Sequence, residues 1–297
     1  MKNKSGAFSL IELSIVILII GVLIAGATHA RRLVRQSKLT TAKTLSQSSP
    51  VNSIAGLMVW LEPTMDSSFK SSEAVDGAAI TTWYDLSPQS TIPNAFTASS
   101  GITYKATGST NALPTVAFAD NNTAFAGTLL DAPFSAYTIF YVAKSTNLTA
   151  ANTIFHNGVS GTNGFGARLS TGGLTTLSYG ASSSVVGNSA ASANQATADI
   201  ICITIAPNSV LGASVETPAA LSYRNGVDDM NGTVTTANWV SPTTNMFIGN
   251  SSSSSTTNEF IGEISEIIIF DSVLKKSDRQ EIEKYLSKKY AITITQN

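Results

Sequence analysis

Phe8-Ser9-Leu10-Ile11-Glu12-Leu13-Ser14-Ile15-Val16-Ile17-Leu18-Ile19-Ile20-Gly21-Val22-Leu23-Ile24-Ala25-Gly26-Ala27-Thr28 is the stretch from which the architecture is read. No charge occurs between Leu13 and Thr28. Phe8 to Ala27 is 20 residues, which as a helix covers about 30 Å, the thickness of a bilayer's hydrocarbon core. A short basic leader, residues 1–7 with Lys2 and Lys4, stands in front. Behind comes Arg31-Arg32-Leu33-Val34-Arg35-Gln36-Ser37-Lys38, a polar stop. A cleavable secretory signal would have a shorter apolar region and a small-residue end, and Ala25-Gly26-Ala27 offers such an end. Glu12 argues against it, because a carboxylate at the head of an apolar span is expensive in lipid and marks function by default.

The run Gly6-Ala7-Phe8-Ser9-Leu10-Ile11-Glu12 resembles the processing motif of type IV prepilins and of type II secretion pseudopilins. The resemblance implies a prepilin peptidase as first partner, which cuts before Phe8 and N-methylates the new terminus. Gly6, Ala7 and Phe8 are then the processing and methylation residues. The family has Gly immediately before the cut, where this chain has Ala7 with Gly6 one step earlier. Glu12 becomes the assembly carboxylate that meets the terminal amine of a neighbouring pilin or pseudopilin subunit. In lipid, each of those charges removes the other's desolvation penalty. The implied location is the bacterial inner membrane, single-pass, with the C-terminal domain periplasmic or extracellular.

Counting cations favours the other orientation, with Lys2 and Lys4 against Arg31, Arg32, Arg35 and Lys38. The motif outweighs the count, since long domains cross largely regardless of charge. Residues 28–47 contain no Gly or Pro, so the helix should run on past the membrane and break at Ser48-Ser49-Pro50. The expected organisation is a leader over 1–7, a helix over 8–48 with its transmembrane span at 8–28, a linker over 49–55 and one domain over 56–295.

That domain is large enough for a full core. Net charge is −1 and charged residues make up only 12% of the chain, which leaves no footprint for nucleic acid. The one cysteine, Cys202, excludes an internal disulfide and reads as a buried, inert thiol. With two histidines, His29 and His156, a zinc site on thiolates and imidazoles is not expected.

From residue 54 the pattern becomes short β runs between turn signals. Strands are expected over 56–61, 79–83, 113–118, 137–144, 152–156, 199–206, 219–224, 245–249 and 260–270. Asn225-Gly226 is a hairpin signal. Ser277-Asp278-Arg279-Gln280 reads as a capping box, ahead of Ile282, Tyr285, Leu286 and Tyr290 on one helical face. A last strand is expected over 291–295. The fold class is therefore α+β, mainly β: a long N-terminal transmembrane helix, then an antiparallel β-sandwich with a short C-terminal helix. The order of several pieces is similar to concanavalin A-like (laminin-G-like) jelly-roll domains. They are Leu57–Leu61, Ile80-Thr81-Thr82-Trp83-Tyr84-Asp85-Leu86-Ser87, Leu113–Phe118, Thr138–Val142, Tyr223–Gly226, Phe260–Phe270 and Lys276–Tyr290. Domains of that family mostly bind glycans or proteins, so carbohydrate or a surface protein is the implied partner, and the fold alone fixes no function.

Glu266 is the most informative carboxylate. Regular alternation over 260–270 puts it on one face with Phe260, Ile264, Ile268 and Phe270, where it must be hydrogen-bonded or partly exposed, and turn amides are the expected partners. Trp83 and Asp85 make either a sugar platform or a scaffold turn. Asp228-Asp229-Met230-Asn231-Gly232 and Asp120-Asn121-Asn122 group oxygen ligands that calcium favours, but neither completes a calcium loop, and Asx-rich turns explain both. Trp83, Asp85, Asp228 and Asp229 are thus the candidate ligand-binding residues. No cofactor is expected, with calcium as the one ion to consider. His156-Asn157-Gly158-Val159-Ser160-Gly161 does not form a nucleophile elbow, and the run from Ser251 to Thr257 reads as a flexible loop or hairpin tip. The reading is a non-enzymatic, minor-pilin-like subunit displaying a lectin-like domain for adhesion or recognition. A pseudopilin without glycan binding is the alternative, and a membrane-tethered glycan hydrolase the second, marked by a cleft with two carboxylates about 5–10 Å apart.

Overall fold

The computed structural model describes residues 9–88, 95–119, 123–128, 136–147, 152–159, 163–169, 175–179, 182–185, 197–207, 218–229, 245–252 and 259–296. The chain divides into two compact units, Met1–Thr41 and Ala42–Asn297.

In the first unit the described chain is one helix. Helix α1 runs Leu10–Gln47, about 57 Å, and crosses the unit boundary. Its apolar part reaches a mean hydropathy of 2.7, and none of that window is buried in the protein. No described element of the chain covers Leu10 to Ile24, so these side chains need an apolar surrounding from outside. The helix stops at Gln47, and Pro50 opens the 3-10 turn Pro50–Ser53. The expected linker is thus a packed turn with Val51 fully buried.

The second unit carries the strands β1 Leu57–Leu61, β2 Thr82–Tyr84, β3 Ala95–Ala98 and β4 Ile102–Lys105. There follow β5 Thr115–Phe118, β6 Phe125–Gly127, β7 Tyr137–Ser145, β8 Asn152–Asn157, β9 Phe165–Leu169 and β10 Thr175–Tyr179. The last are β11 Ser182–Val185, β12 Asp199–Pro207, β13 Pro218–Arg224, β14 Val227–Asp228, β15 Met246–Ile248 and β16 Gly262–Phe270, before helix α2, Lys276–Tyr290. All the described pairings are antiparallel. One sheet has the order β14-β13-β12-β7-β16-β5-β4, with β1 also on β16; the other has β11-β10-β9-β8-β15-β6-β3-β2. The Asn225-Gly226 hairpin forms as expected, with φ of 52° and 79° joining the paired Arg224 and Val227.

Two cores result. Between the sheets lie Val59, Leu61, Trp83, Phe118, Phe125, Tyr141, Phe155, Ile203 and Ile267. On the outer face of the first sheet lie Leu57, Trp60, Phe140, Val142, Cys202, Ile268 and Phe270, covered by Ile282, Tyr285, Leu286 and Tyr290 of α2 and by Ala42 and Val51. Each fully buried aliphatic or aromatic side chain contributes about 1.5–3 kcal/mol.

Three expectations are corrected. Helix α2 has Lys275, not Ser277, at its cap, with no side-chain capping bond, and Ser277 Oγ turns to Asp278. Leu274 N donates to Thr138 Oγ1 at 3.0 Å, so a tertiary contact sets where the helix begins. Residues 291–296 form no strand; Ala291 takes a left-handed conformation that ends α2, and Thr295 N donates singly to Asn225 O at 2.9 Å. Finally, β16 shifts register against β7 between Ile264 and Glu266. This bulge at Ser265 flips the alternation. Phe260 and Ile264 face the inter-sheet core, whereas Ile268 and Phe270 face α2. Glu266 shares a face with the latter pair only.

Candidate functional site

Glu266 comes from the bulged strand β16 and points beneath α2. Its Oε1 accepts from Trp60 Nε1 at 2.7 Å and Tyr285 Oη at 2.9 Å. Its Oε2 accepts from Tyr290 Oη at 2.8 Å and Lys289 Nζ at 2.9 Å. Four side chains, not turn amides, therefore hold it. Lys289 Nζ also donates to Tyr285 Oη at 3.0 Å and lies 3.2 Å from Glu62 Oε1, an ion pair without an aligned hydrogen bond. Glu62 Oε2 accepts from Thr64 N and Thr64 Oγ1, both at 2.6 Å. Tyr285 Oη lies 3.2 Å from Ser46 Oγ, which ties the last turn of α1 into the same network.

Glu62 and Lys289 are fully buried and Glu266 is 1% exposed. Burial above all, and then the Glu62 charge, push the Glu266 carboxyl up, while Lys289 pulls it down. Burial likewise pushes the Tyr285 and Tyr290 phenols up. No substrate reaches these groups, so the arrangement is a fastening. It joins β1, β16, α2 and the end of α1 through one ammonium shared by two carboxylates. Such a cluster holds only while each charge keeps its partners. Lys289 was legible in part: it follows Ile282 by seven residues and Leu286 by three, which puts it on the apolar face of α2.

Trp83 is fully buried in the inter-sheet core, with Phe69 stacked at 5.9 Å and Phe125 tilted at 5.6 Å. Its ring is taken by core contacts and offers no sugar platform. Asp85 Oδ1 accepts from Trp60 N at 2.8 Å and Ser87 N at 2.9 Å, pinning a turn against β1. Asp228 and Asp229 do not act together. Asp228 is exposed on β14, while Asp229 is buried with Oδ2 3.3 Å from Arg224 Nε, and Arg224 also reaches Asp199 Oδ2 at 2.8 Å. Among the described residues no three His, Cys, Asp or Glu side chains gather to hold a metal. Cys202 is buried, and burial first, then Glu283, push its thiol well up. His156 is buried in β8, and desolvation lowers its imidazole to about 4. Gly6, Ala7, Phe8, the Asp120-Asn121-Asn122 loop, Asn231, Gly232, Ser160, Gly161 and residues 253–257 lie outside the described residues.

At the head of α1, Ser9 N donates to Glu12 Oε2 at 2.9 Å and Ile11 N to Ser9 Oγ at 3.3 Å. This is a reciprocal capping box, a reading available from Ser9-Leu10-Ile11-Glu12 but overlaid by the processing motif. Glu12 thus accepts a hydrogen bond from a local backbone amide.

Two grooves lie in the second unit. One of about 600 Å³ is bounded by Leu45, Ser48, Pro50, Glu281, Lys284 and Lys288. The other, of about 380 Å³, is bounded by Thr204, Tyr223, Asp228, Leu274, Lys276 and Arg279. Each contains a single carboxylate, Glu281 or Asp228.

The chain is an apolar N-terminal helix joined to an antiparallel β-sandwich with two cores. Residues 2–28 match the prokaryotic N-terminal methylation motif. No curated protein matches the chain by sequence. Among solved structures the chain is similar to Trypanosoma rangeli sialidase, with a TM-score of 0.52 at 12% identity, over 86% of this chain and 39% of that one. It is also similar to the binding domain of botulinum neurotoxin serotype D, with a TM-score of 0.54 at 14% identity, over 80% of this chain and 52% of that one. The chain therefore spans well under two thirds of these proteins, and at these identities the likeness is one of fold.

Proposed function

We propose that the chain is a minor-pilin-like subunit of the bacterial inner membrane. It is processed before Phe8 by a prepilin peptidase, assembles through Glu12 and α1, and displays the sandwich outside the membrane for adhesion or recognition. The observation that carries this reading is the methylation motif over residues 2–28 at the head of a helix whose apolar window is wholly unburied. A helix left bare by its own protein is built to be covered by lipid or by other helices. The proteins similar in fold include a sialidase and a neurotoxin binding domain, so a carbohydrate or cell-surface ligand is the class we assign to the loops. On this reading the chain works by binding: among the described residues each of the two grooves is lined by a single carboxylate, and Glu62 and Glu266 are closed off around Lys289.

The test is Glu12→Ala expressed in the native host. The expected outcome is a mature terminus at N-methyl-Phe8 with the subunit absent from sheared filaments. Normal incorporation of the variant would overturn the role given to Glu12.

A further inference from the structure

The basic stop beyond the span is not used by processing or by the Glu12 contact. Arg31, Arg32, Arg35 and Lys38 are all exposed on α1. Arg31, Arg35 and Lys38 fall at i, i+4 and i+7, one stripe of the helix, with Arg32 at its flank. No Asp or Glu occurs in the sequence between Glu12 and Glu62, so the stripe sits in a stretch of sequence whose only charges are positive. Arg31 lies three residues past Thr28, about 5 Å along the helix, and Lys38 ten residues past it, about 15 Å. The headgroup layer on each side of a bilayer is about 5–8 Å thick. Helix side chains lean towards the N-terminus. On this helix that direction is back towards the apolar span, so the longer reach of Arg35 and Lys38 returns their charges to the phosphate layer.

We propose that Arg31, Arg32, Arg35 and Lys38 form a binding stripe for anionic phospholipid headgroups in the leaflet where the span emerges. The occupant follows from charge and from depth. A phosphate layer is the anionic surface that a membrane places within a few ångströms of Thr28, and polybasic segments beside a membrane are held by such lipids. The stripe holds the unassembled subunit at a fixed depth and must be released from lipid when the helix leaves the bilayer. The inference rests on the span being membrane-embedded and not on filament assembly, so a failed Glu12→Ala test leaves it standing.

The experiment uses the purified full chain in non-ionic detergent, with phosphatidylglycerol and phosphatidylcholine added in equal amounts and retained lipid read by intact-protein mass spectrometry. Phosphatidylglycerol is expected to be retained over phosphatidylcholine by about tenfold or more, and high salt is expected to weaken the preference. Each Arg→Gln or Lys→Gln change in the stripe is expected to lower it up to about fivefold, and R31Q/R32Q/R35Q/K38Q together to bring it near unity. Lys43→Gln, whose native side chain pairs with Asp66 at 2.6 Å, should leave it unchanged. The thermal transition of the sandwich checks that each variant is folded. Equal retention of both lipids by the native chain, or a preference that survives the quadruple change, overturns the proposal.

Discussion

Lys289→Met removes the cation at the centre of the fastening and keeps most of the side-chain volume. Three contacts are lost, to Glu266 Oε2 at 2.9 Å, Glu62 Oε1 at 3.2 Å and Tyr285 Oη at 3.0 Å. More important is what remains: two carboxylates buried together with no counter-charge. Breaking a buried pair from one side destabilises by about 3–5 kcal/mol, while replacing all its charges by matched neutral groups is often neutral. Lys289→Met should therefore lose about 3–5 kcal/mol at pH 7, and K289M/E62Q/E266Q should recover more than half of that. The sign with pH follows from the same charges. Without Lys289 the Glu266 carboxyl, already pushed up by burial, rises further. The folded variant then binds more protons than the unfolded chain, and its deficit grows as pH rises above the ordinary carboxylate range. Urea unfolding of the full chain in detergent, followed by the fluorescence of its three tryptophans, reads both effects. A loss below about 1 kcal/mol, or a deficit that does not change with pH, would show that water reaches the cluster and refute the reasoning.

Ser46→Ala removes the 3.2 Å contact to Tyr285 Oη and should lose about 0.5–1.5 kcal/mol by the same urea assay. Gly262→Ala should lose more than about 1 kcal/mol of stability, because φ there is 151° and an added Cβ would stand 2.1 Å from Lys144 O. The buried His156, held near 4 in the fold against about 6.5 when unfolded, contributes stability that is complete above the unfolded value and declines as pH falls towards 4. Its share is about 3 kcal/mol, so His156→Gln should flatten the fall of the melting temperature between those pH values; an unchanged slope would remove His156 from the acid response.

Length and apolarity alone made α1 legible, because a bilayer imposes a requirement that needs no partner residues. The long strands β7, β12 and β16 were legible for a related reason: runs such as Ile264 to Phe270 are too apolar for anything but burial on both faces. The short strands β3, β4, β6 and β9 were missed. They are three to five residues long, too short to show an alternation, and β3, β6 and β9 carry Ala and Gly, which have little strand preference of their own. The face of Glu266 was misread because a single extra residue at Ser265 inverts the alternation, and a bulge leaves no trace in a hydrophobic pattern. Trp83 and Asp85 showed the right residue types for a sugar site, but burial decides what an indole can touch.

The two units answer different energetic demands. The sandwich closes its own cores. Helix α1 does not: twelve large apolar side chains from Leu10 to Ile24 are exposed. Leaving them in water forgoes about 20–35 kcal/mol, more than the roughly 5–15 kcal/mol that holds an ordinary domain folded. Lipid tails and neighbouring apolar helices cover such a surface about equally well, so moving α1 from bilayer to helix bundle changes that large term little. The balance then falls to the few polar groups whose surroundings do change. In the proposed assembly role Glu12 would exchange its own Ser9 amide for a neighbour's terminal amine, which would favour the bundle. Arg31, Arg32, Arg35 and Lys38 give up the phosphate layer, which favours the membrane. Each contribution is a few kcal/mol at most and opposite in sign. If the chain is the subunit proposed above, it needs both ends of the apolar span, and shifting either one alone should trap it on one side.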